Sequence, residues 1–331
     1  MRGIPEDLPT EAVSDSLSRH WSVKADRLKY LPKGWGAYHW VAFTGDEPRW
    51  FVTCDDLDTK PWLGSDREAV FEGVKSAYQA AVRLRQRAGL DFVIAPLRTQ
   101  SAETAVRIIA RYSLALFPFV EGEPGRWGEQ LSAPECRALV TLLADLHAGH
   151  WATCAVPRRD MEIPGRRRLE EALGETNRHW HGGPFSEPTR QEVAKSRGVV
   201  LGGLDTFDAL AAQLSGSPFA PVVTHGEPHA GNLIRRDDGF ALVDWDTVAL
   251  DRPERDSWMV DDGSGAAWAT YEELTGRAVD RDAVRLYRLL WELSDVAAFT
   301  AQLRARHTEN PDTRKAWISL RRTLTALDTF T

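Results

Sequence analysis

The stretch Thr224–Asp246, THGEPHAGNLIRRDDGFALVDWD, decides how the rest of the chain is read. Val222-Val223, just ahead of it, is a short apolar run that reads as a strand entering a polar loop, His225 to Asn232. Leu233-Ile234 resumes the apolar character, Arg235 to Gly239 interrupts it, and Phe240 to Val243 restores it before Asp244. Two short apolar runs joined by a polar segment ending in glycine have the pattern of a β-hairpin. With Asp237-Asp238-Gly239 as the loop and Gly239 at positive φ, position 236 faces 240. Counting back along both strands then sets Asn232 opposite Asp244, and directly opposed residues have Cβ atoms roughly 4.5–5.5 Å apart. A carboxamide oxygen beside a carboxylate suits a hard divalent cation such as Mg²⁺. The hairpin is expected to carry half a metal site.

HGE-PHAGN followed by LVDWD resembles the catalytic loop and metal-binding motif of the aminoglycoside phosphotransferase family, whose fold is protein-kinase-like. The family's pattern is H-G-D-x-x-x-x-N, then an apolar strand ending I-D-[WF]-[DE]. The match holds at His225, Gly226, Asn232, Asp244, Trp245 and Asp246, and departs at Glu227, which stands at the catalytic aspartate position. The resemblance implies an α+β, bilobal, protein-kinase-like fold: an N-terminal lobe with a five-stranded antiparallel sheet plus a helix, and a larger, mainly helical C-terminal lobe. It also implies transfer of the γ-phosphoryl group of ATP or GTP to a hydroxyl of an aminoglycoside or aminocyclitol antibiotic, with Asn232 and Asp244 holding Mg²⁺. Glu227 takes the role of catalytic base. Glutamate accepts a proton much as aspartate does, but a displacement of ~1 Å costs up to ~10²-fold where positioning is the source of catalysis. His225 is expected to brace the loop, and Asp246 either to support the metal site or to cap the following turn.

Composition agrees with a folded soluble protein. The 331 residues are 43% hydrophobic and 27% charged, and the net charge is −7. That charge disfavours a nucleic-acid polymer as partner, which needs a basic footprint, and mildly favours a cationic small substrate. No apolar run approaches the ~18–20 residues of a membrane span, and the acidic, proline-bearing N-terminus lacks a signal peptide's apolar core. Cys54, Cys136 and Cys154 form no C-x-x-C pair and read as free thiols of a reducing cytoplasm.

The N-terminal part reads as helix Glu11–His20, strand Val23–Leu31, a glycine-bearing hairpin over Pro32–Phe43, and strand Arg49–Cys54. Gly34 and Gly36 are either an ordinary turn or a loop whose backbone approaches phosphates; in the family they are the nucleotide-covering loop. Thr53 stands where the family has its phosphate-binding lysine, and Lys33 is the candidate replacement. Ser65-x-x-Glu68 has capping-box spacing and opens a helix to about Arg87, with Val70, Val74, Ala77, Ala81 and Leu84 as its buried stripe. Glu68 and Glu72 fall opposite that stripe. Phe92–Ala95, Ala105–Ala110 and Leu114–Val120 complete the expected five-stranded sheet.

A Gly/Pro-rich segment at 118–125 marks the junction between a lobe of residues 1–125 and one of 126–331, and Phe119 and Val120 there are expected to meet the nucleotide base by resemblance. Beyond it helices dominate: a capping box at Ser132 opens one through His150, and others cover 166–178, 188–197, 204–214, 254–260, 266–274, 282–306 and 311–326. His179 and His181 lack a nearby third ligand and read as local surface histidines. Asp256 is expected to anchor the catalytic loop. Asp251, Asp261, Asp262, Glu272 and Glu273 give the region after the hairpin an acidic character that suits a cationic acceptor, with Trp258 and Trp268 as candidate stacking surfaces. Chain length and the Trp-rich helical lobe are similar to those of spectinomycin- and hygromycin-type enzymes. One alternative keeps the reaction with a small metabolite such as choline or a sugar as acceptor; the other, which Thr53 and Glu227 support, is a kinase-like binding protein without turnover.

Overall fold

The computed structural model describes residues 3–5, 7–149 and 155–328. The elements in chain order are α1 (Thr10–Trp21), β1 (Arg27–Leu31), β2 (Ala37–Thr44), β3 (Glu47–Asp56), α2 (Arg67–Gln86), β4 (Val106–Ile109), β5 (Tyr112–Pro118), β6 (Glu123–Pro124) and α3 (Ala133–Ala148). They continue as α4 (Arg166–Gly174), α5 (Ser186–Lys195), α6 (Arg197–Ser215), β7 (Val222–Thr224), β8 (Leu233–Arg236), β9 (Gly239–Leu242), β10 (Ala249–Asp251), α7 (Glu254–Ser257), α8 (Ala266–Thr275), α9 (Arg281–Arg304) and α10 (Pro311–Asp328). They form two compact units, Gly3–Arg159 with Ala220–Val279, and Asp160–Phe219 with the chain from Asp280 onward. The junction around Gly125 lies inside the first unit. His150 and Cys154 lie outside the described residues.

In the first unit five strands form an antiparallel sheet in the order β1-β2-β3-β5-β4, apart from the smaller sheets β10-β7 and β6-β8-β9. Side chains alternate faces along each strand, so Trp40, Val52, Cys54, Leu114 and Leu116 pack with Val13 and Leu17 of α1. Ala115 and Phe117 turn to the other face, against Phe71, Val74 and Tyr78 of α2. Helix α2 starts one residue later than the capping-box spacing suggests: Asp66 is the N-cap, its carboxylate accepting the N–H groups of Glu68 and Ala69. A charged acceptor with two donors outcompetes the Ser65 hydroxyl.

Two expectations are corrected here. Phe92–Ala95 is no strand of the large sheet. Val93 bridges Leu242 in parallel, with the Leu242 N–H on Phe92 O at 2.7 Å and the Ile94 N–H on Leu242 O at 3.1 Å. The open edge of β9 offers that segment the backbone partners it needs. The hairpin register is also one residue off the expected one. Arg236 pairs with Gly239 and Leu233 with Leu242, so the loop is the two residues Asp237-Asp238. Gly239 (φ 125°) belongs to the ladder instead of the loop. Asn232 consequently lies opposite Val243, whose N–H donates to Asn232 O at 3.0 Å, and Asp244 falls just beyond.

The hairpin stands on a core shared by α2 and α3: Leu233, Leu242, Trp245 and Val248 join Ala81 and Leu84 of α2 and Leu139 and Leu143 of α3. The second unit is helical, with α9 packed against α4, α5, α6 and α10. There His179 and His181 lie with ring centroids 4.4 Å apart, and His179 Nδ1 is 3.0 Å from Glu187. Cys54 is buried and Cys136 partly so, both as free thiols. No helix among the described residues is long and apolar enough to cross a membrane.

Leu242 has no exposed surface and ties the hairpin to both helices. Leu242→Ala is expected to cost about 3 kcal/mol, read as a lower urea midpoint at unchanged slope; an unshifted midpoint would contradict this core assignment.

Candidate active site

The loop that opens at His225 is built on one carboxylate. Asp256, fully buried on α7, accepts the backbone N–H groups of His225 (2.8 Å) and Gly226 (2.5 Å). It also faces His147 Nε2 of α3 at 3.1 Å, and His147 Nδ1 lies 2.9 Å from the Tyr271 hydroxyl of α8. A proton on Nε2 satisfies both contacts, the imidazole donating to Asp256 and accepting from Tyr271. Burial works against the Asp256 charge, but the His147 hydrogen bond and the nearby Arg255 and His225 outweigh it and hold the carboxyl below its usual range. Gly226 sits at φ 97°, and a Cβ there would lie 2.3 Å from the Arg255 guanidinium. Arg255 itself donates to Thr224 Oγ1 and Thr247 O, both at 2.8 Å.

His225 spans the site. Its Nδ1 accepts the Glu227 N–H (3.2 Å), which leaves Nε2 to donate to Val243 O (2.9 Å). Burial lowers its pKa to about 4, so the ring is neutral at neutral pH. It therefore braces the loop against the hairpin end.

Three sequence-singled residues meet at this place. Glu227 is partly exposed, its Oε2 4.0 Å from His229 Nε2. Burial first, then Asp246 and Asp244, push its carboxyl well above the usual range, against the pull of Lys60 and Arg255. Asn232 donates through Nδ2 to Glu227 O at 3.0 Å, which leaves Oδ1 as the acceptor end of the amide. Asp244 occupies the left-handed region (φ 68°, ψ 59°), a strained place for a non-glycine residue. Asp244 is exposed, yet desolvation by the surrounding protein, then Asp246, raises its pKa to about 7 against Lys60. Among the described residues no three His, Cys, Asp or Glu side chains converge as a metal cluster.

Lys60 belongs to no motif singled out from the sequence. Its ammonium lies 2.5 Å from Asp246 Oδ2 and 3.0 Å from Asp55 Oδ1, with its side chain 4% exposed. Burial would lower its pKa, but Asp246, Asp55 and Asp244 together raise it. Tyr78 of α2 donates to the other Asp55 oxygen at 3.0 Å. Arg159 fastens the same region, donating to Trp62 O (2.6 Å) and Asp246 O (2.8 Å). The sequence signal was slight: a single lysine in a turn, with its partners Asp55 nearby in sequence and Asp246 far away.

The remaining candidates divide. Gly34 (φ 78°) and Gly36 (φ 74°) form the turn before β2, with Lys33 exposed beside them. Thr53 is buried on β3, its hydroxyl 3.3 Å from His39 Nδ1. Phe119 and Val120 follow β5, half-buried, the Phe119 N–H on Arg49 O at 3.1 Å. Glu68 pairs with Arg107 and Glu72 with Lys75, both on the surface. Trp127, half-exposed, packs in a T-shaped contact with His229 at 4.3 Å. Trp268 is tied by Nε1 to Ser257 O at 2.9 Å.

This arrangement, a five-stranded sheet followed by helices with an HGE loop at a hairpin, is that of a kinase-like phosphotransferase. The model of the phosphotransferase enzyme family matches residues 83–260, more than half of the chain, and the chain belongs to that family. The match leaves out β1–β3, the part where Thr53 departs from the family pattern. Protein StrN of Streptomyces griseus is 24% identical over 292 residues, 84% of each chain. Spectinomycin phosphotransferase APH(9)-Ia, solved with ADP and spectinomycin, superposes with a TM-score of 0.74 at 16% identity over 98% of this chain and 99% of that one. APH(2″)-IIIa, solved with GDP and kanamycin, gives 0.58 at 13% identity over 96% and 97%.

Asp256→Asn would leave one of the two loop N–H groups facing another donor, at a cost of about 3 kcal/mol. Because the folded carboxyl titrates below its unfolded value, its contribution is present above about pH 4 and lost as pH falls through the lower folded value. Urea melts at neutral and acidic pH should therefore show wild type and variant converging in acid; an equal gap at both pH values would contradict the charge's role.

Proposed function

We propose that the chain transfers the γ-phosphoryl group of ATP or GTP to a hydroxyl of an antibiotic of the aminoglycoside or aminocyclitol kind. The observation that carries this reading is the meeting of Glu227, Asn232 and Asp244 on one loop and hairpin end. The names of the similar structures, with spectinomycin or kanamycin and a nucleotide bound, support the substrate class. The donor set fits Mg²⁺: the Asn232 amide is turned so that its oxygen accepts, and Asp244 stands among more carboxylates than the local cations balance. Hard oxygen donors of this kind, with phosphate oxygens completing the shell, are what that ion takes.

Asn232 and Asp244 would hold the ion, which when bound neutralises phosphate oxygens as charge moves to the leaving group. Glu227 accepts the proton of the acceptor hydroxyl while the hydroxyl oxygen bonds to the γ-phosphorus; the bond from the γ-phosphorus to the β-phosphate oxygen breaks and the nucleoside diphosphate leaves. Gly34 and Gly36 lie over the phosphates, and Phe119 and Val120 meet the base. The acids Asp251, Asp261, Asp262, Glu272 and Glu273 draw a cationic acceptor, and a reducing cytoplasm is where such a nucleotide-dependent protein with free thiols works.

Incubation with Mg²⁺-ATP, then Mg²⁺-GTP, against a panel of aminocyclitols and aminoglycosides should give a product heavier by one phosphate, and chelation of Mg²⁺ should stop it. Glu227→Gln should lower transfer by roughly 10²–10⁴-fold with nucleotide binding intact. Full activity in that variant would refute the base, and a wild-type protein that binds no nucleotide would refute the reaction.

A further inference from the structure

We propose that Lys60, on the turn after β3, is the cation that contacts the phosphate chain of the nucleotide. This deepens the phosphotransferase reading and rests on it. On β3 itself the residue paired with His39 is Thr53, a neutral hydroxyl. Past the end of β3 the chain folds back under the glycine turn. The Asp56 N–H donates to Gly36 O at 3.2 Å, the Thr59 hydroxyl lies 3.2 Å from the same oxygen and 2.8 Å from Asp56 O, and a Cβ at Gly36 would stand 3.3 Å from Thr59 Oγ1. Lys60 follows directly. On its other side the ammonium is hydrogen-bonded to Asp246, two positions beyond Asp244. The segment from Asp56 to Lys60 thus meets the glycine turn through Asp56 and Thr59 and the hairpin end through the Lys60 ammonium.

The pairing is not explained by stability alone. Burying an ammonium and two carboxylates costs desolvation that their mutual attraction roughly offsets, and apolar residues of similar volume often do as well. Nor are the donors of the ammonium used up. It has three N–H groups; Asp246 and Asp55, at 2.5 and 3.0 Å, take two, and the Trp62 ring lies 5.6 Å away. A phosphate oxygen arriving at Asp244 finds a donor already oriented by two aspartates. Asp246, Asp55 and Asp244 keep that donor protonated despite its burial.

The test compares two ligands without metal. Affinities of ADP and of adenosine are measured by calorimetry in EDTA for wild type and Lys60→Met. A phosphate contact predicts that the variant loses ADP affinity roughly tenfold or more while its adenosine affinity is unchanged. Equal losses for both ligands would mean a structural role, unchanged affinity for both would mean none, and a selective ADP loss in Lys33→Ala instead would move the role to Lys33; each overturns the proposal. Lys60→Gln, whose amide still donates to Asp246, is read by the same criteria if the methionine variant fails to fold. Wild-type protein that binds neither ligand overturns the nucleotide reading, and Lys60's part with it.

Discussion

Two backbone N–H groups, those of His225 and Gly226, end on the Asp256 carboxylate, and the candidate site depends on that meeting. A loop carrying reactive side chains has few backbone partners of its own, so its shape must be imposed from beneath. Here α7 supplies the acceptor, α3 supplies His147 to hold the acceptor's charge, and α8 supplies Tyr271 to hold His147. Glycine at 226 suits the same constraint, since φ there is +97° and a Cβ would push the Arg255 guanidinium aside. Burial of an aspartate is tolerable only because each oxygen has its donor. The loop's geometry is therefore a consequence of core packing among three helices.

Charge organises the other half of the site. Glu227, Asp244, Asp246 and Asp55 come together at the hairpin end and the close of β3, with Lys60 between them. Like charges at short range raise one another's pKa, and a nearby cation opposes this. Lys60 lets the cluster assemble, and the strained backbone at Asp244 persists because Trp245 beneath it is packed with no exposed surface.

Much of this was legible in the chain. The alternation of apolar residues gave the sheet and the hairpin, and the H-G-E…N…D-W-D spacing named the residues that the fold gathers. The register differs by one from the expected one because the two-residue Asp-Asp turn places Gly239 in the ladder and not in the loop. Phe92–Ala95 pairs with β9 and not with the large sheet, and a short apolar run does not reveal which strand edge it will find. Lys60 was invisible for a different reason: its meaning depends on Asp246, a partner 186 positions away, and no local pattern reports such a contact.

The central claim is that Asn232 and Asp244 hold the cation of a nucleotide-dependent transfer. Anomalous diffraction from crystals grown with Mn²⁺ and ADP measures this directly. The account predicts a peak within about 2.0–2.2 Å of both Asn232 Oδ1 and an Asp244 carboxylate oxygen, bridged to the phosphates. A peak held by other residues, or nucleotide bound with no metal at that pair, would contradict it.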